Sequence, residues 1–104
     1  MAKKETTLPG TVPSMRSMLI SFLIEQHEKG VEKVSITDIY SYLDNRIKDP
    51  MFDGKFKLDT FHNSIRGELN HNEVEANGNS MKFYKRVGKG YYAITTVGKK
   101  YNGR

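Results

Sequence analysis

Cysteine is absent from the chain, which excludes disulfide staples, zinc sites built on thiolates and any thiol nucleophile. Packing alone has to hold the fold. Long apolar runs are also missing. The longest, around Met18-Leu19-Ile20, falls far short of the roughly 20 residues a helix needs to cross a bilayer. The N-terminus lacks the apolar stretch of a secretory signal. These absences lead to the expectation of an intracellular protein, cytoplasmic or nucleoid-associated, with no membrane partner. Acidic residues are missing from the whole of Lys82 to Arg104, a stretch that holds seven basic ones.

Catalytic and cofactor signals are equally scarce. His27, His62 and His71 are too far apart for a local metal motif, and a separation of nine positions turns the last two to different sides of a helix. Asp44, Asp49, Asp53 and Asp59 flank a connection, where capping and solvation account for them. No Walker-type loop or paired nucleophile and base occurs. Gly88-Lys89-Gly90 is too short to cradle a nucleotide phosphate, and a turn explains it. The sequence therefore predicts a protein that is not an enzyme, with no catalytic residue, metal or cofactor.

What is present is enough chain, 104 residues, for one core with free ends and too little for a second domain. The net charge is +5 and unevenly spread: +1 over residues 1–30, −1 over 31–60 and +5 over 61–104. A modest excess serves solubility, whereas a segregated one makes a local field that attracts polyanions. Residues 1–13 are polar, hold two of the three prolines and read as a flexible arm whose Lys3 and Lys4 can touch a phosphate backbone.

The body of the domain is expected over 14–96. Ser14 caps a first helix whose Met15, Met18, Leu19, Phe22 and Leu23 share one face, ending at Gly30. Ser35-Ile36-Thr37-Asp38 is a capping box, with Val34 as staple and short strand. Ile36, Ile39, Tyr40, Leu43 and Ile47 form the stripe of a second helix ending near Lys48. Pro50 and Asp53-Gly54 mark a connection. A third helix is predicted from about Asp59, its N-cap, to His71, with Leu58, Phe61, Ile65 and Leu69 buried. Asn77-Gly78 marks a loop. Met81–Val87 and Tyr91–Thr95 then read as a hairpin closed by Gly88-Lys89-Gly90. Phe83 and Val87 are placed on one face with Met81 and Lys85, Tyr92 and Ile94 toward the core, and Tyr84 and Tyr91 toward solvent. Residues 97–104 read as a basic tail.

Helix, short strand, helix, helix, strand, strand is the order of an α+β winged helix-turn-helix, in which the third helix can enter the major groove while the hairpin lies on the backbone. The outward side of that helix carries Asn63, Arg66, Gly67 and Asn70. Arg suits guanine O6 and N7, Asn suits adenine N6 and N7, and Gly67 leaves room for close backbone approach. Phosphate contacts are assigned to Lys82, Lys85, Arg86 and Lys89, with Lys99 and Lys100 beyond the hairpin. Lysines on an edge strand also block pairing with another chain, a competing account of Lys85. The predicted partner is double-stranded DNA. A base-stacking platform for single strands would need Phe83, Tyr84, Tyr91 and Tyr92 exposed together, which strand alternation opposes. The alternative is a protein-binding winged helix, an adapter or inhibitor acting on a larger enzyme. No heptad pattern or extra helix marks a self-association interface.

Two resemblances bear on this. Phe83-Tyr84-Lys85-Arg86-Val87-Gly88-Lys89-Gly90-Tyr91-Tyr92-Ala93-Ile94 resembles the end of the HARE-type helix-turn-helix domain, where a Phe, an Arg-Val-Gly-basic-Gly turn, then Tyr and an aliphatic residue close the wing. That resemblance implies a winged helix linking DNA or transcription machinery to effector domains. Asn63-Ser64-Ile65-Arg66, followed by Leu69 and Asn72, is similar to a forkhead recognition helix and implies that Asn63 and the region near Arg66 face the bases. Gly67 stands where forkhead has a base-contacting His, and the first helix lacks that family's aromatic opening motif.

Overall fold

The computed structural model describes residues 12–101. Ser14 Oγ accepts the Ser17 amide at 3.0 Å and starts helix α1, Met15–Glu28. Its buried residues are Ser17, Met18, Leu19, Ile20, Phe22, Leu23 and Ile24, a broader band than the single face expected. A helix buried over so much of its circumference belongs at the centre of the domain. Accordingly α1 touches the second helix, the sheet and the last helical turn.

After Gly30, strand β1 (Val34–Ser35) runs directly into α2, Ile36–Arg46. Ser35 Oγ accepts the Asp38 amide at 3.1 Å, the first half of the capping box. Ile39 and Leu43 are fully buried in the core. Two 3-10 turns, Pro50–Phe52 and Leu58–Thr60, then lead to α3, Phe61–His71. The second turn corrects the predicted start of the third helix. Thr60, rather than Asp59, occupies the N-cap position, and it makes no side-chain capping bond. Three residues per turn shift Leu58 off the 3.6-residue stripe, so it is 76% exposed instead of buried.

Strands β2 (Tyr84–Arg86) and β3 (Tyr91–Ile94) complete an antiparallel sheet in the order β1-β3-β2. Gly90, with φ 78°, sits third in the Gly88–Tyr91 turn, a position that needs the left-handed backbone a glycine supplies. Tyr84 pairs with Ile94, Lys85 with Ala93 and Arg86 with Tyr92, while Val34 pairs with Tyr92 on the other side. Directly opposed residues share a face, so Tyr84, Tyr92, Ile94 and Val34 lie on the inner face, with the exposed Arg86 at its rim, and Lys85 on the outer.

The expected exposure of Tyr84 is therefore overturned. Tyr84 is fully buried rather than exposed, beside a buried Phe83, while Met81 and Lys85 are exposed. Lys82, with φ 60°, keeps Met81 out of the strand, which begins at Tyr84, and Phe83 is covered separately by Tyr101 and Gly98, so both neighbours are buried. The Lys82 carbonyl accepts the Thr95 hydroxyl at 2.7 Å, which holds the kink.

The chain beyond Thr95, expected to be a tail from 97, begins as a helical turn, α4, Thr96–Lys99. Thr95 Oγ1 accepts the Gly98 amide at 2.9 Å. A Cβ on Gly98 would lie 2.5 Å from both Ile94 Cδ1 and the Phe83 carbonyl oxygen. The Tyr101 ring packs edge-on to Phe83 at 5.2 Å. Three helices followed by an antiparallel hairpin make this an α+β winged helix-turn-helix. The arm (1–11), with Lys3 and Lys4, and residues 102–104 lie outside the described residues.

Candidate functional site

Helix α3 has two unlike sides. Phe61, Ile65 and Leu69 enter the core, and Asn72 just past its end is 1% exposed. Asn72 Oδ1 accepts the Met81 amide at 3.0 Å, and its carbonyl accepts the Tyr84 amide at 3.3 Å. Asn72 therefore ties the hairpin to α3.

Glu68 joins the same inner side. Arg16 donates to it twice, Nε to Oε2 at 2.8 Å and Nη2 to Oε1 at 3.2 Å, and the Tyr84 hydroxyl donates to Oε2 at 2.7 Å. The hydrogen bond to Glu68 raises the Arg16 pKa despite partial burial. Burial, then the charge and hydrogen bond of Glu68, push the Tyr84 phenol far above its ordinary range. The Arg16 guanidinium also lies 5.4 Å from the Phe83 ring centroid. This network connects α1, α3 and β2, and fixes α3 in place. Sequence reasoning missed it, because Arg16 and Glu68 are 52 residues apart and neither stands in a local motif.

On the other side, Asn63, Arg66, Gly67 and Asn70 are all exposed. Arg66 Nη2 donates to Asn63 Oδ1 at 2.8 Å. The hydroxyl of buried Tyr92 donates to Asn70 Oδ1 at 3.2 Å. A Cβ on Gly67 would meet nothing within 4 Å. No family model, curated protein or solved structure matches this chain. Its site must be read from its own geometry.

The predicted backbone-contacting residues do not all come together. Lys85, Arg86 and Lys89 are exposed on the hairpin, and with Gly88, Glu73, Val74 and Glu75 they line an open groove of about 530 Å³. Glu73 shapes that groove: its Oε1 accepts the Glu75 amide at 2.9 Å and its Oε2 the Arg86 amide at 3.3 Å. Lys82 instead reaches the Val74 carbonyl, 3.3 Å from its Nζ. Lys99 Nζ lies 2.9 Å from His27 Nε2, at the end of α1. Lys99 and Lys100 follow the Ile94 end of β3, whereas Lys89 precedes its Tyr91 end.

His62, weighed in the sequence only as a metal ligand, has a different setting. Its ring stacks on Tyr40 at 4.0 Å, and Nε2 lies 2.8 and 3.0 Å from the Asp44 carboxylate oxygens. It clamps α3 to α2 one residue before Asn63. Among the described residues no group of three or more His, Cys, Asp or Glu is placed to hold a metal ion. No helix among them is long and apolar enough to cross a membrane.

Proposed function

We propose that this protein binds double-stranded DNA, with α3 in the major groove and the hairpin on the phosphate backbone. One observation carries the reading. The outward side of α3 places Asn63, Arg66 and Asn70 in solvent around a glycine that packs against nothing. A helix-interior glycine costs about 0.5–1 kcal/mol relative to alanine, and close approach of a ligand to the backbone gives that cost a purpose. In this reading Arg66 contacts guanine, Asn63 and Asn70 reach neighbouring bases, and Arg86 and Lys89 meet phosphates with Lys85 beside them. Arg86 shares the sheet face of Tyr92, whose hydroxyl touches Asn70, and this supports a duplex meeting wing and helix together. Lys82, Lys99 and Lys100 add weaker, flanking attraction. The HARE-like wing and the forkhead-like order at Asn63–Arg66 favour a transcription-associated role inside the cell.

A titration of the full chain against mixed-sequence duplex at 50 and 200 mM salt tests this reading. About three phosphate contacts correspond to a loss of roughly 40-fold in affinity over that interval. Affinity that does not change with salt contradicts it.

A protein-binding adapter is the second reading. It is favoured by the exposure of Met51 and Leu58 on the turns between α2 and α3 and by Glu73 and Glu75 beside the hairpin bases. A stoichiometric, nuclease-insensitive protein partner recovered from the native cell would support it.

A further inference from the structure

The hydrogen bonds on the outward side of α3 define which base edge it can read. Asn63 and Asn70 are the two amides there, and each has its oxygen engaged by a donor from the chain. Arg66 holds Asn63 Oδ1. A guanidinium only donates, so the amide atom it meets has to be the oxygen. The Tyr92 hydroxyl donates to Asn70 Oδ1; a hydroxyl can also accept, so it is burial that favours this arrangement. Tyr92 is 3% exposed, and a buried hydroxyl deprived of its acceptor is costly. What faces a ligand without disturbing these bonds is chiefly the NH2 of Asn63, the NH2 of Asn70 and the other N–H groups of Arg66, each amide oxygen keeping one further lone pair.

We propose that the outward side of α3 is a donor-biased surface that selects neighbouring guanines in the major groove, a specificity that rests on the DNA-binding reading above. Guanine offers two acceptors, N7 and O6, whereas adenine pairs with asparagine by using the amide oxygen and the NH2 together. An adenine contact at either asparagine must share or displace a bond the fold already makes. The bond between Asn63 and Arg66, on an exposed helix surface, is weak and biases the choice. Arg66, which only donates, and the Tyr92-held Asn70 strengthen that bias. Tyr92 is thus a positioning residue for specificity, acting through Asn70 from the hairpin.

The test is selection of sites by the full chain from a duplex library with a randomised centre, followed by titration of the selected duplex. Neighbouring guanines are expected. Replacing one with adenine is expected to weaken binding roughly ten-fold or more, and 7-deazaguanine, which lacks the N7 acceptor, is expected to weaken it as well. Tyr92→Phe releases the Asn70 oxygen, so the guanine-over-adenine ratio at one position should fall several-fold while binding to an unselected duplex stays the same. Asn70→Ala should relax the same position. Selection of adenine at the positions that Asn63→Ala or Asn70→Ala relax overturns the proposal. So does a Tyr92→Phe protein that loses affinity equally for every sequence, the mark of a purely structural role. Salt-dependent duplex binding with no guanine selection sinks this inference alone, whereas absence of salt-dependent binding to any duplex sinks the DNA reading with it.

Discussion

The inner and outer sides of α3 are built from similar polar residue types and do opposite things. Inside, Glu68 and Asn72 each satisfy several partners, and their chemistry is consumed by the fold. Outside, Asn63, Arg66 and Asn70 remain in solvent, arranged by short contacts that leave N–H groups outward. Polar residues that hold a structure together and polar residues available to a ligand can thus sit on one helix a single turn apart. Burial and bonding partners separate them, and residue type does not.

The comparison breaks most visibly at Glu68. Glu68→Ala removes the acceptor shared by Arg16 and Tyr84. Loss of one partner of a buried pair costs about 3–5 kcal/mol, and because the Arg16 side chain is 36% exposed the lower end of that range is expected. Thermal denaturation should show a fall in Tm of ten degrees or more, and an unchanged Tm would remove the network from the account. Gly98→Ala comes next: its 2.5 Å contacts with Ile94 and a backbone oxygen predict about 1–3 kcal/mol of overpacking in a urea titration.

A smaller effect is confined to high pH. The Tyr84 phenol is raised above its ordinary value of 10.0, chiefly by burial. Its contribution is fully present below pH 10, where the phenol is neutral in folded and unfolded chains alike. It is lost as pH rises further, because the unfolded state ionises first. Wild-type stability should decline above about pH 10, and the decline should be shallower in Tyr84→Phe.

The smallest change in stability is expected on the outer side, with the opposite sign. Gly67→Ala has open space for its methyl group and should stabilise by about 0.5–1 kcal/mol. Under the DNA reading the same methyl group weakens duplex binding. A variant that is more stable and binds equally well would leave Gly67 without a role in the interface.

The parts of this arrangement that sequence alone made legible were local. Ser14 and Ser35 cap their helices because the bond spans three residues, and Phe61, Ile65 and Leu69 follow helical spacing. The exposed quartet on α3 came from the same spacing. What escaped depended on contacts distant in the chain. Phe83 and Tyr84, neighbours in sequence, are both buried because Tyr101 and Gly98 cover the one and Glu68 meets the other. Gly98 looks like a tail residue until Phe83 and Ile94 are packed on it. Six basic residues near the C-terminus suggested one patch, yet β3 separates Lys89 from Lys99, and Glu73 and Glu75 stand beside the wing.

The most direct test of the outer side's role is amide chemical-shift mapping of the full chain during titration with a duplex. The account predicts the strongest perturbations at residues 63–70 of α3 and 86–90 of the hairpin, with α1 and α4 little changed. Perturbations centred on Met51 and Leu58, or on the His27 and Lys99 end of the molecule, with α3 silent, would contradict it.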